Sequence, residues 1–149
     1  MERYSRQLPL LGVKKQDRLC ESSVTVVGCG GLGSHVAELL VRAGVGRVRI
    51  IDRDVVELSN LHRQALFDEE DAGKGLPKAV AAAAKLTRIN SEVETEAIVA
   101  DVNPGNALNL LKNTDLIIDG TDNLETRYII KLASIYLEKE KIYRVLLNI

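Results

Sequence analysis

The sequence predicts an α/β fold, a mainly parallel sheet flanked by helices, and three observations carry that expectation. Short β-branched runs alternate along the chain with segments of helical periodicity. A glycine-rich turn, "GCGGLG" at 28–33, joins the first of those runs to the first helical segment. The polar and charged clusters fall just after the apolar runs, where parallel sheets collect ligands.

Each element has its own reason. Residues up to about 22 are expected to form a helical arm, ahead of a core spanning 23–149 in a single domain. "SVTVVG" (23–28) reads as the first strand. In its helix, 32–43, Leu32, Val36, Leu39, Leu40 and Ala43 recur at helical spacing as a stripe that packs on the sheet. "RVRIID" (47–52) is the second strand. A long strand-to-helix loop over 54–75 follows, a length that often carries function. Pro77 suits a helix start and the alanines at 81–84 favour helix, which predicts a helix over 77–90. "VETEAIV" (93–99), a helix over 104–112, "LIIDG" (116–120) and a helix over 124–139 continue the alternation, and "EKIYRVLLNI" (140–149) reads as the start of a further strand. No internal repeat, low-complexity tract or linker interrupts it.

A chain of 149 residues, 46% hydrophobic and 28% charged, has an ordinary globular composition and can bury one core. The formal charge of -1 supplies no basic field, so neither nucleic acid nor a membrane surface is an expected partner. No segment approaches the roughly 18 apolar residues of a span, and the N-terminus lacks an apolar signal-like stretch; a cytoplasmic chain is expected. Cys20 and Cys29 are too few for a disulfide framework, which suits a reducing compartment. They form no C-x-x-C pair, so zinc has no sequence support, although His35 or His62 is in principle able to join a cysteine.

Gly28, Gly30 and Gly33 fit the G-x-G-x-x-G pattern, whose open amides and following helix N-terminus bind phosphate without a side chain. Asp52 ends the second strand at the distance where an acidic residue accepts hydrogen bonds from ribose hydroxyls. Asp54 reads equally as a ligand contact or a turn residue. Up to this point a nicotinamide-dependent dehydrogenase satisfies the pattern. "SNLHRQ", with Ser59, Asn60, Arg63 and Gln64, and "GKGLPKA", with Lys74 and Lys78, break the tie. Cations beside a nucleotide loop suit a triphosphate, whereas hydride transfer does not need them. Lys74 alone also reads as solvated surface charge. In "DGTDN", Asp122 and Asn123 follow a strand end, where a carboxylate beside a triphosphate is a natural magnesium ligand; either residue also suits the cap of the helix that follows.

Taken together in order and spacing, "RYSRQ", "GCGGLG", Asp52-Arg53-Asp54, "NLHRQ", Lys78 and "DGTDN" resemble the ThiF/MoeB/HesA family, relatives of the ubiquitin-activating enzymes, over roughly residues 2–130. The resemblance implies a Rossmann-like domain that binds ATP and magnesium. It implies an adenylyltransferase acting on the C-terminal carboxylate of a ubiquitin-like sulfur-carrier protein, ThiS/MoaD-like, with release of pyrophosphate. By position, Gly31 and Asp52 would hold the nucleotide, Asp52 on the ribose; Asn60, Arg63 and Lys78 would meet the phosphates, and Asp122 the magnesium. Gln64 and Arg127 would support them, and Arg127 reads equally as a plain helix-surface residue. Arg6, the second arginine of "RYSRQ", would reach into the partner subunit's site, which calls for a homodimer. Family members continue through a glycine-rich segment, C-x-x-C pairs and often a catalytic cysteine, and none of these follows Asn123. The expectation is therefore a C-terminally shortened member that keeps the nucleotide half. A noncatalytic ATP-binding fragment is the alternative, and an NAD-dependent oxidoreductase a weaker one, because it gives Arg63, Lys78 and Asp122 no role.

Overall fold

In the computed structural model, which describes residues 2–142, five strands form one sheet: β1 (Ser23–Val27), β2 (Arg47–Ile51), β3 (Glu94–Ile98), β4 (Leu116–Asp119) and β5 (Glu140–Ile142). All neighbours are parallel and the order is β3-β2-β1-β4-β5. This is the Rossmann-like arrangement expected from sequence, and its strand order reverses between β1 and β4. The crossovers are α3 (Gly31–Ala43), α5 (Lys78–Ile89), α6 (Ala107–Leu111) and α7 (Leu124–Tyr136). Residues ahead of the sheet form a 3-10 turn at Glu2–Tyr4 and two helices, α1 (Leu8–Leu11) and α2 (Val13–Glu21).

Strand alternation sorts the core onto two faces. Val24, Val26, Val48 and Ile50 pack with Ala37, Val41, Ala82 and Leu86 of α3 and α5, while Val27, Ile51 and Ile117 pack with Leu111 and Ile130 of α6 and α7. The stripe expected on the first helix holds in part: Val36 and Leu40 pack against the core. Leu39 is 65% exposed and Leu32 also faces outward, while Gly33, Ser34, Ala37 and Val41 are the buried residues of α3. Small residues face inward because the helix lies so close to the sheet that a Cβ on Gly33 would sit 1.8 Å from the Gly28 carbonyl oxygen.

Three further expectations change in detail. The stretch 54–75 contains a 3-10 turn, Leu58–Asn60, and a helix, α4 (Glu69–Gly73). The Asp68 carboxylate accepts from the Asp71 amide and the Asp71 carboxylate from the Asp68 amide, a reciprocal cap that starts α4. The predicted helix over 104–112 starts only at Ala107, because Asn103 and Asn106 turn the preceding backbone through side-chain bonds to amides. α7 stops at Tyr136, and Glu138 adopts a φ of 53° as the chain turns into β5. The rest of the predicted last strand, 143–149, lies outside the described residues.

Candidate functional site

The segment from Asp54 to Lys78 leaves the sheet and returns at its own base. The Lys78 amide donates to the Asp54 carbonyl at 2.8 Å, the Val56 amide donates to the Leu76 carbonyl, and Val55 bridges Pro77. Leu66 and Phe67 sink into the core beside α5. The excursion therefore carries Asn60, Arg63 and Gln64 back over the start of α3.

There the ends of β1, β2 and β4 open into a cleft of about 1060 Å³. Open α/β sheets bind ligands at such a switch point, beyond the carboxyl ends of the strands. Gly28, with φ of 86°, turns the chain at its floor, and a Cβ there would stand 3.0 Å from the backbone of Gly120 and Thr121. Only glycine fits. Gly30 caps α3 without any side-chain hydrogen bond, so the first-turn amides, which lack intrahelical partners, stay open. Arg63 lies across Gly31, whose absent Cβ would meet the Arg63 Cγ at 3.4 Å, and Gln64 lies beside Gly30.

Asp52 is buried at the end of β2. Its Oδ2 accepts from the Cys29 amide at 2.6 Å and its Oδ1 from the Asp54 amide at 2.8 Å. Burial pushes its carboxyl above the usual range, and the two amides pull the other way. The same carboxylate thus shapes the glycine loop. Cys29, inside that loop, is pushed up to about 12 by burial and then by Asp52, and is held as an unreactive thiol. Lys78 opens α5 with a side chain only 8% exposed, and its ammonium lies 3.5 Å from the Asp54 carboxylate, which is 58% exposed. A buried ammonium facing an open cleft with one loose partner among the described residues is suited to a multiply charged anion.

Asp122 and Asn123 reach the cleft from the end of β4. Asn123 also caps α7, its Oδ1 accepting from the amides of Glu125 and Thr126. Of the two residues suited to cap this helix, Asn123 is the one that does. Asp52, Asp54, Asn60, Arg63, Gln64, Lys78, Asp122, Asn123 and the loop glycines Gly28, Gly30 and Gly31 all line the one cleft, while Gly33 supports it from behind. Ser59 does not line it; its hydroxyl donates to Glu57. Lys74 sits elsewhere, paired with Glu70 on the surface. Missing from the sequence reading were Arg53 and Asp101, which line the cleft and pair at 3.1 Å between the loops after β2 and β3. Their one signal was position after strand ends.

A nucleoside triphosphate fits these residues. The open glycine amides, the buried Lys78 ammonium and the Arg63 guanidinium supply donors and charge, and Gln64 Oε1 is buried without a partner among the described residues. Among the described residues no group of three or more His, Cys, Asp or Glu side chains is arranged to hold a metal ion. Magnesium commonly needs one or two carboxylates, with phosphate and water oxygens for the rest. Asp122 on the cleft wall fits that requirement. Among the described residues, no helix is long and apolar enough to cross a membrane.

Fold and site define a doubly wound α/β domain with a polar cleft at the switch point of its sheet. The family model of the ThiF family matches residues 4–147, and the chain belongs to that family. It is 45% identical over 145 residues to a sulfur carrier protein adenylyltransferase of Thermus thermophilus, covering 96% of this chain and 53% of that protein. It is 46% identical to the sulfur carrier protein ThiS adenylyltransferase of Bacillus subtilis, covering 89% of this chain and 40% of that protein. The chain thus spans about half the length, or less, of these curated relatives. Among solved structures, Escherichia coli tRNA N6-threonylcarbamoyladenosine dehydratase, TcdA, in complex with ATP superposes with a TM-score of 0.90 at 26% identity over 95% of this chain and 58% of that one. E. coli MccB with AMPCPP and MccA superposes with a TM-score of 0.84 at 30% identity, over 95% of this chain and 44% of that one.

Proposed function

We propose that residues 1–149 form one adenylation domain that binds ATP with magnesium and activates the C-terminal carboxylate of a ubiquitin-like, ThiS/MoaD-like sulfur carrier. A carboxylate oxygen attacks the α-phosphorus, the bond to the β-phosphate oxygen breaks, and acyl-adenylate and pyrophosphate result. The observation that carries this reading is convergence. The glycine loop, Asp52, Asn60, Arg63, Lys78 and Asp122 come from the three connections after β1, β2 and β4 into one cleft, in a ThiF-family chain whose relatives carry sulfur-carrier adenylyltransferase names.

In this reading Asp52 and the loop glycines hold the ribose and phosphates, and Arg63 and Lys78 offset phosphate charge as it redistributes. Asn60 and Gln64 add directional contacts, and Asp122 holds magnesium, which supplies charge neutralisation when bound. Arg6 acts on the partner subunit of a homodimer. Tyr4 is buried against Gly44 and Gln7 donates to the Ala43 carbonyl, so the "RYSRQ" segment sits at the far end of α3 from the glycine loop. Thirteen residues of helix separate the two, about 20 Å. That is too far for Arg6 to serve its own cleft. A cytoplasmic setting goes with this reading, in keeping with the free thiols of Cys20 and Cys29.

Calorimetric titration with ATP plus magnesium, and with NAD in parallel, followed by carrier-dependent pyrophosphate exchange, tests the proposal. Binding of ATP alone, with exchange that D122A abolishes and R6A lowers without loss of ATP affinity, is the expected result. ATP binding without exchange would establish the second reading, noncatalytic nucleotide binding. Binding of NAD alone would overturn both. A monomer by sedimentation would remove the role of Arg6.

A further inference from the structure

We propose that Asp119 and Arg127 are positioning residues that grip Thr121 from both sides and thereby set Asp122 for a divalent cation; this rests on the reading of Asp122 as the magnesium ligand. Asp119 ends β4 fully buried, and a buried carboxylate persists only where it is bonded or paired. Its Oδ1 accepts from the Thr121 amide at 3.0 Å and from the Thr121 hydroxyl at 2.6 Å. Its Oδ2 faces the Arg127 Nε at 3.3 Å, and the same guanidinium donates from its terminal nitrogen to the Thr121 carbonyl at 3.1 Å. Three polar atoms of Thr121 are therefore held by one ion pair.

The neighbours of the grip leave little play. The Gly120 amide donates to the Val27 carbonyl at 2.8 Å, and Gly120 and Thr121 press on Gly28 so closely that a Cβ there would be 3.0 Å away. On the other side Asn123 is tied into the first turn of α7. Asp122 stands between two pinned residues and lines the cleft. Magnesium demands near-ideal octahedral geometry, so a ligand fixed through its backbone neighbours binds better than one on a loose loop. Residues that orient a metal ligand typically change metal affinity about 10- to 100-fold.

The test is calorimetric titration of the full chain with ATP, once with magnesium and once with EDTA, for wild type, R127K, R127A and D122N, with thermal melts alongside. R127K keeps a cation against Asp119 and loses the second donor to Thr121, so it remains informative should R127A fail to fold. In R127K the ATP affinity with magnesium is expected to fall about 10-fold, with the affinity in EDTA unchanged; D122N should lose the same increment. Equal loss with and without magnesium would reduce Arg127 to a structural residue and overturn the proposal. So would an unchanged R127K beside an impaired D122N. D122N with wild-type magnesium dependence would overturn the reading of Asp122 itself, and the proposal with it.

Discussion

The two ends of the sheet bury polar groups in opposite ways. At the start of the strands, Asn90 donates to the Tyr4 hydroxyl and the Val41 carbonyl, and Gln7 and Gln16 both donate to the Ala43 carbonyl. These groups satisfy one another. At the finish of the strands, Lys78 is buried with one loose partner, Gln64 Oε1 is buried with none among the described residues, and the first-turn amides of α3 are uncapped. Buried polar groups are normally bonded, so a cluster that is not closed upon itself is organised for something that arrives. One end is a polar joint and the other a polar site.

The most damaging substitution should be G33A. Its methyl would collide with the Gly28 carbonyl, and overpacking of this kind costs up to about 3 kcal/mol. A large drop in melting temperature together with loss of ATP binding is expected, and a variant that melts like wild type would show that the loop and helix are less tightly joined than the geometry indicates. Next comes N90A, which removes the centre of the polar joint. It should lose about 2 kcal/mol of stability in denaturant titrations while ATP affinity stays unchanged; a fall in affinity would erase the distinction between the two ends.

K78M sharpens the distinction from the other side. Replacing a buried ammonium by an apolar side chain of similar length should leave the melting temperature equal or higher, while ATP affinity falls by about 1.5 kcal/mol or more, the worth of a charged hydrogen bond. A variant that melts well below wild type yet binds ATP normally would move Lys78 from the site to the scaffold.

The smallest effect belongs to the clasp between α4 and α5, where Lys85 pairs with Asp68 and, at 2.7 Å, with Asp71. The Lys85 ammonium, helped by the Asp71 amide, pulls the Asp68 carboxyl from its ordinary 3.8 down to about 2. A carboxyl lowered in the folded state contributes stability that is complete above its ordinary value and is lost as pH falls through the folded value. Acid-unfolding curves of wild type and D68N, which keeps a capping acceptor, should therefore differ at neutral pH and converge towards pH 2. Parallel curves over that range would deny the clasp its ionic character.

The alternation of strand and helix was legible in the chain because hydrophobic period is local, and so was the glycine loop, because only glycine supplies φ of 86° at position 28. Asp52 and Asp122 were legible as site candidates because they come right after apolar strands, and Asn60, Arg63, Gln64 and Lys78 because cations and polar side chains in a long loop beside a glycine-rich turn suit a triphosphate. The inward face of α3 was read only in part: Val36 and Leu40 pack on the core, but Leu39 satisfies the helical period as well as Ala37 does, and only the closeness of helix to sheet selects the small residue. Lys74 and Lys78 look alike in "GKGLPKA", yet a single turn of chain sends one to solvent beside Glu70 and buries the other in the cleft. By itself the sequence determined which residue types were available to bind a phosphate and in what order they came. Tertiary structure decided which of them meet, because the sheet brings together loops far apart in the chain, and neither burial nor distance between such loops is encoded in any local pattern.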